Sequence, residues 1–260
     1  MIPFLHIELS SRCNKSCWMC GRRKIEREYP NLAEWGDMPL QMVSDIAKQV
    51  PVGTVVHFHN NGEPTLYPYL GMALNMFHHC IRQFNTNAKR LLEVSDEIVG
   101  NLDVLTISVI SKDPEGDEQF ATVNRFLEKI GTGPPRLVYR LLGDVDNAER
   151  WEALPGIVVR RVIHSPDGSR DYKKPVTIPE VGICLELLTH LAIDRFGNIS
   201  CCVRFDPEGE LIIGNVKDMT LKQAWESDKR SEYLAKHILG RRDLCPGCDK
   251  CEFWGCPVGY

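Results

Sequence analysis

Positions 4–20 read FLHIELSSRCNKSCWMC, an apolar run leading directly into three cysteines, Cys13, Cys17 and Cys20. Phe4–Ser10 has the short, β-rich character of a strand. The three thiols that follow occupy one loop at its C-terminal end. Zinc sites usually close a tetrahedron with four ligands built from paired C-x2-C turns, whereas this loop gives three thiolates and no obvious fourth. A [4Fe–4S] cluster normally takes four thiolates, so three leave one iron open to a small chelating ligand. A zinc site completed from elsewhere, and free buried thiols, are the alternatives.

Outward from this loop, further strands are expected at Thr54–Asn60, Ile81–Asn87, Val104–Ile110, Leu137–Leu142 and Ile157–His164. Helices are expected near Leu40–Gln49, Tyr69–Cys80, Lys89–Val99, Gln119–Ile130 and Ala148–Leu154. Repeated βα units imply an α/β fold, a partial (β/α)6 TIM-like barrel with helices outside. Ser165–Pro179, with Gly168 and three prolines, breaks the rhythm and reads as a linker. The expected domains are 1–170 and a small α+β cluster-binding domain at 171–260. The latter has a hairpin turning at Phe196-Gly197-Asn198, with strands at Leu191–Asp194 and Ile199–Val203, a strand at Leu211–Val216, and one amphipathic helix at Leu221–Leu239.

The 260 residues suffice for one large domain, or a large and a small one, with a buried core. A hydrophobic fraction of 43% and a charged fraction of 25% argue against disorder and coiled coils. The net charge of −4 gives no footprint for tight non-specific nucleic-acid binding. No signal peptide and no membrane span is read, so a cytoplasmic location is expected. Disulfides are rare there, which makes eleven cysteines, seven of them beyond residue 170, a sign of metal ligation.

The spacing C-x3-C-x2-C after a first strand resembles the signature of the radical SAM superfamily. Asn61-Gly62-Glu63-Pro64 after the second strand is similar to that family's GGEP motif, with Asn61 in place of the first glycine. Thr86-Asn87-Ala88 after the third strand looks like its Thr-Asn-Gly, and Ser108 stands on the fourth where a polar residue often meets the cofactor. All lie at C-terminal strand ends, the face on which βα barrels build active sites. Cys184-x12-Gly197-x4-Cys202 resembles the opening of SPASM and Twitch auxiliary cluster domains. The ending, Cys245-x2-Cys248-x2-Cys251-x4-Cys256, departs from the usual C-x2-C-x5-C-x3-C.

The resemblance implies a [4Fe–4S] cluster on Cys13, Cys17 and Cys20 whose open iron binds S-adenosylmethionine (SAM). Met19, Asn61, Gly62, Glu63, Pro64, Thr86, Asn87, Ser108 and Arg140 are then the cofactor contacts. One auxiliary [4Fe–4S] cluster falls on Cys184, Cys202, Cys245 and Cys248, and Cys201, Cys251 and Cys256 are available for a second. A structural zinc knuckle is the alternative for the tail. The implied reaction cleaves SAM reductively to a 5′-deoxyadenosyl radical that takes a substrate hydrogen. An auxiliary cluster points to two-electron oxidation of a small molecule or peptide side chain, fed by an external reductant such as flavodoxin or ferredoxin. A redox-neutral isomerase or epimerase, for instance on a modified nucleoside, is the competing enzyme reading. A non-catalytic iron–sulfur carrier or metal-stabilised binding protein is the reading of another class.

His57 and His59 share one face of the second strand and are expected as hydrogen-bonded core or rim side chains, with substrate contact as the alternative. Arg140, Arg160 and Arg161 interrupt apolar strands, and adjacent Arg160 and Arg161 must face opposite sides. Cys80 reads as a core thiol.

Overall fold

The computed structural model describes residues 2–165, 168–169, 177–180, 182–203, 206, 208–249 and 251. Six strands, β1 (Phe4–Ile7), β2 (Val55–His57), β3 (Ile81–Thr86), β4 (Val104–Ile110), β5 (Arg136–Leu142) and β6 (Ile157–Arg161), pair in parallel and in chain order. Helices α1 (Arg22–Glu28), α2 (Leu40–Ala47), α3 (Leu70–Met76), α4 (Ser95–Ile98), α5 (Gly116–Ile130) and α6 (Glu149–Glu152) lie between them. The result is an open α/β barrel.

Side-chain alternation explains which face of the sheet is which. Leu5, Ile7, Val56, Phe84, Leu105, Ile107, Tyr139 and Leu141 are almost wholly buried in the main core. α5 meets that core with Val123 and Phe126. The alternate positions point the other way: His6, His57, Gln83, Asn85, Thr106, Ser108 and Arg140 line the barrel interior. The strands thus carry an apolar outer face under the helices and a polar inner face.

Helix α7 (Leu185–Thr189) runs into the strand His190–Ile193, which pairs in parallel with β1 on the edge opposite β2. A short antiparallel pair, β7 (His164–Ser165) and β8 (Gly168–Ser169), precedes it, so this strand is β9. β10 (Asn198–Ser200) and β11 (Ile212–Asn215) continue the sheet antiparallel to nine strands, ordered β11-β10-β9-β1-β2-β3-β4-β5-β6. Sheet and main core therefore both cross the expected boundary at 170/171, since Leu191, Ile193, Ile199 and Leu221 belong to that core. Most of the expected linker lies outside the described residues.

Three expectations need correction. The helix expected over Leu221–Leu239 is two, α8 (Leu221–Trp225) and α9 (Asp228–Ile238). Ser227 breaks them by accepting from the Arg230 amide as the N-cap of α9, while Thr220 and Gln223 form a capping box on α8. The helix expected over Lys89–Val99 shrinks to Ser95–Ile98. Finally, α1, directly after Cys20, was not anticipated; its Arg22 is buried, donates to the Ser11 carbonyl at 2.7 Å and stacks on Trp35 at 4.0 Å.

Candidate active site and cluster-binding segment

The polar inner face encloses a cavity of about 590 Å³. Cys13, Cys17 and Cys20 lie at its border with Met19, Asn61, Gly62, Glu63, Thr86, Asn87, Ser108 and Arg140. Pro64 starts a buried one-turn 3₁₀ helix behind Glu63 and is not among the lining residues. His57 and His59 both border the cavity, their rings stacked with centroids 5.1 Å apart. With its amide set to satisfy both neighbours, Asn85 donates to His57 Nε2 at 3.2 Å and accepts from Arg140 at 3.2 Å. Burial, and then the Arg140 charge, lower the His57 pKa to about 3, so this imidazole is neutral at pH 7. Arg140 also donates to the Ser108 hydroxyl at 2.9 Å. Of the adjacent arginines, Arg161 borders the cavity and Arg160 pairs outside with Glu152.

Glu63 organises the strand ends. It is 3% exposed, and its two oxygens accept from the Thr65 amide (3.2 Å) and hydroxyl (2.8 Å), the Thr86 hydroxyl (2.8 Å) and the Asn87 amide (2.8 Å). Burial pushes its carboxyl pKa up, and these donors oppose that. Thr86 accepts from the Ala88 amide at 3.0 Å, so its hydroxyl proton is directed at Glu63. Ala88 holds φ of 68°, a left-handed conformation that glycine adopts more cheaply. Gly62 is demanded by space: a Cβ there would lie 1.9 Å from the Ser10 carbonyl oxygen. Glu8, 4% exposed, accepts from the Asn61 amide at 3.1 Å and the Arg195 amide at 3.2 Å, tying this turn to the β9–β10 hairpin.

The cysteine loop is tethered to β3 and β4. The Asn87 amide group donates to Asn14 Oδ1 at 2.8 Å and to Cys13 Sγ at 3.9 Å. Lys15, 6% exposed, forms an ion pair with Asp113, with Glu115 a further 3.3 Å contact, and Trp18 donates to the Ser111 carbonyl at 3.1 Å. Gln119 on α5 clamps the ends of β3 and β4 by donating to the Asn87 and Ser108 carbonyls at 3.0 and 2.9 Å.

In the C-terminal segment, Cys201 and Cys245 are buried with Leu187, Leu211 and Tyr233, and Cys184, Cys202 and Cys248 pack against them. Burial, and then the neighbouring Cys201, Cys245, Cys251 and Cys184, push the Cys248 thiol well up. Cys202 also borders a smaller cavity of about 190 Å³ that includes Asn61 and Arg195. Arg242 fixes the last turn, pairing with Glu180 and donating to the Cys248 and Cys251 carbonyls. Cys256 lies outside the described residues. Cys80 is buried with its thiol 3.8 Å from the Pro51 carbonyl.

The donor set fits iron–sulfur clusters. Burial raises the Cys13 thiol and brings Cys17 to about 12, so without a cation these thiols are protonated. A bound cluster supplies the positive charge that makes thiolates favourable. Cys13, Cys17 and Cys20 beside an open, polar cavity leave room for the chelating ligand that the fourth iron position requires.

A profile of the SPASM family, an iron–sulfur cluster-binding domain, matches residues 184–252. The S-adenosyl-L-methionine-dependent 2-deoxy-scyllo-inosamine dehydrogenase of Niallia circulans is 20% identical over 259 residues, covering 96% of this chain and 93% of the relative. The structure of BtrN in complex with AdoMet and 2-DOIA shares the fold with a TM-score of 0.56 at 18% identity, over 94% of this chain and 92% of that one. SuiB of Streptococcus suis bound to the precursor peptide SuiA gives a TM-score of 0.64 at 15% identity, over 97% of this chain and 71% of that one. Over nearly its whole length the chain is thus similar to SAM-dependent enzymes of the radical SAM fold, and its residues 184–252 match the SPASM family. The matched segment holds Cys184, Cys201, Cys202, Cys245, Cys248 and Cys251 and is of a family that binds iron–sulfur clusters.

Several residues of this candidate site escaped the sequence reading: Glu8, Gln119, Lys15 with Asp113, and the pair Glu186 and His190, which also line the cavity. Glu8 and His6 did carry a signal, as polar residues inside an apolar strand. Gln119 carried none, because a glutamine on an amphipathic helix is ordinarily solvated. Among the described residues no helix is long and apolar enough to cross a membrane.

Proposed function

We propose that this enzyme oxidises an alcohol or amino alcohol on a small molecule by two electrons, with hydrogen abstraction at the chamber. The observation that carries the reading is that one cavity is lined from both halves of the chain, by Cys13, Cys17, Cys20 and Glu63 of the first and by Glu186 and His190 of the segment that matches the SPASM family. Cys184 caps the helix that carries Glu186. An auxiliary cluster held by Cys184 would sit two residues from a chamber-lining side chain, which supports its receiving the electron that a substrate radical gives up. The dehydrogenase relative supports this direction.

Cys13, Cys17 and Cys20 would hold the cluster that binds SAM. Gly62 and Glu63 would receive the SAM amino group, Thr86 and Asn87 its ribose, and Ser108 and Arg140 its carboxylate, with Met19 beside the adenine. Asn61 keeps the turn by its bond to Glu8, and Pro64 stiffens the exit from it. Cys184, Cys202, Cys245 and Cys248 would hold the auxiliary cluster, and Cys251 and Cys256 would serve a second. Loaded in this way, the site supplies one-electron cleavage of SAM and removal of a substrate hydrogen atom. The residues themselves orient SAM and substrate and keep water from the reacting centre. Neutral His57 is placed to orient a substrate hydroxyl, while the proton released as that hydroxyl becomes a carbonyl leaves to solvent, since an imidazole with a pKa of about 3 is too weak a base to hold it. We further propose residues 1–170 as the catalytic unit and 171–260 as the cluster-binding unit, with a flavodoxin- or ferredoxin-type protein as reductant.

The test is anaerobic turnover of the reconstituted enzyme with dithionite, SAM and a panel of cyclic polyols and aminocyclitols. One ketone formed per deoxyadenosine supports the reading. An isomerised product without net electron release would establish the isomerase instead, and failure to bind SAM would leave a metal-stabilised binding protein.

A further inference from the structure

The floor of the chamber carries a second group of ligand-type side chains. His6 points inward from β1, and on the adjoining β9 His190 pairs with Phe4, two positions before His6 on the same face of β1. Glu186 sits one helical turn before His190 on α7, with Oε2 3.8 Å from His190 Nδ1. One donor atom from each of the three falls within 4.8 Å of the others. The His6 and His190 rings lie nearly parallel with centroids 5.2 Å apart. Thr189 fixes the His190 ring, its hydroxyl lying 2.7 Å from Nδ1 while donating to the Leu185 carbonyl at 2.7 Å.

We propose that His6, Glu186 and His190 form a divalent-cation site of the zinc class on the floor of the substrate chamber. Two imidazoles and a carboxylate suit Zn²⁺, which takes three protein ligands and one exchangeable ligand in open sites. The carboxylate removes one of the two charges that the cation brings into a chamber already containing Arg140 and Arg161. All three ligands face the cavity, so a substrate hydroxyl, amine or carboxylate can complete the coordination sphere. The site would select substrates that present such a donor, and it joins the SPASM segment to the first strand through a shared ion. Each half supplies ligands: His6 from β1, Glu186 and His190 from α7 and β9.

The site lies in the chamber assigned above to substrate, but cation binding needs no SAM cleavage. The test uses cluster-loaded protein, so that iron already occupies the cysteines. The protein is dialysed anaerobically against zinc at free concentrations set by nitrilotriacetate, and zinc and iron are counted in the same sample. One zinc per chain with iron unchanged is expected. Loss of a group that merely orients a ligand weakens metal sites by about 10–100-fold, so Glu186→Gln and His190→Gln should each weaken zinc binding by at least roughly tenfold. Glu186 is partly exposed and Glu186→Gln keeps its shape, so this variant decides the matter if His190→Gln misfolds. No zinc above buffer, zinc taken up only as iron is lost, or full affinity retained in Glu186→Gln would each overturn the proposal. Zinc bound by protein that fails to cleave SAM would leave this site standing and remove the oxidation reading.

Discussion

Alanine at position 62 is the smallest change that tests how the turn before Glu63 meets the cysteine loop. The added Cβ would lie 1.9 Å from the Ser10 carbonyl oxygen, 2.7 Å from its carbon and 2.8 Å from the Arg12 carbonyl oxygen. All three are backbone atoms, so no side chain can swing aside. To reach even the 3.0 Å below which Cβ contacts are essentially never found, the two segments must separate by about 1 Å. The bond from the Glu63 amide to the Arg12 carbonyl, 2.8 Å long, sits at that junction and is the first to stretch. Overpacking of this kind costs about 1–3 kcal/mol of stability. The larger effect is functional, because a 1 Å misplacement of a positioned group can cost about 10²-fold in rate. Gly62→Ala should therefore retain its iron, lose SAM affinity in equilibrium dialysis, and make deoxyadenosine about a hundredfold more slowly. A variant that binds SAM within twofold of wild type and cleaves it at the same rate would show that the turn and the cysteine loop are not coupled.

Other outcomes follow from the same geometry. Replacing Cys13, Cys17 and Cys20 together with alanine should remove about four irons per chain and abolish SAM cleavage; an unchanged iron count by metal analysis would place the cluster elsewhere. Asp113→Ala strands the buried Lys15 with only Glu115 as partner. The cost should fall below the roughly 3–5 kcal/mol of a fully uncompensated buried charge, and the cluster next to this loop should lose iron faster to a chelator; equal rates would refute the tether. His57 is held at about 3 against an ordinary 6.5, so the unfolded chain binds the extra proton between those values and the folded one does not. The stability this contributes is full above pH 6.5 and is lost as pH falls toward 3. The loss by pH 5 is at most about 2 kcal/mol, reduced because the ring borders an open cavity. His57→Asn should flatten anaerobic thermal unfolding between pH 7 and pH 5, and parallel losses in both proteins would refute it.

The barrel was legible because its strands alternate so regularly. Val104–Ile110 and its neighbours place β-branched and aromatic residues on one face and Thr106, Ser108 or Arg140 on the other, and the spacing of these runs leaves only helices between them. The cysteine loop and the turn at 61–64 were legible because each depends on local chemistry. What escaped depends on pairing between distant segments. Glu8 meets Asn61 and Arg195 only because β1 lies between β2 and β9. His190 reads as the start of a hairpin strand until its pairing with β1 turns it inward. The break between α8 and α9 was missed for a different reason: Ser227 stands in a stretch whose apolar spacing continues across it.

The placement of β9 against β1 has a consequence for how such enzymes can be recombined. A strand hydrogen-bonded on both edges has no free margin, so removing 190–215 would bare the backbone of β1 and invite pairing with other chains. Grafting the C-terminal segment of a relative onto this barrel would likewise exchange one wall of the chamber along with the cluster. In this chain the cysteine-rich segment and part of the pocket's lining are inherited together.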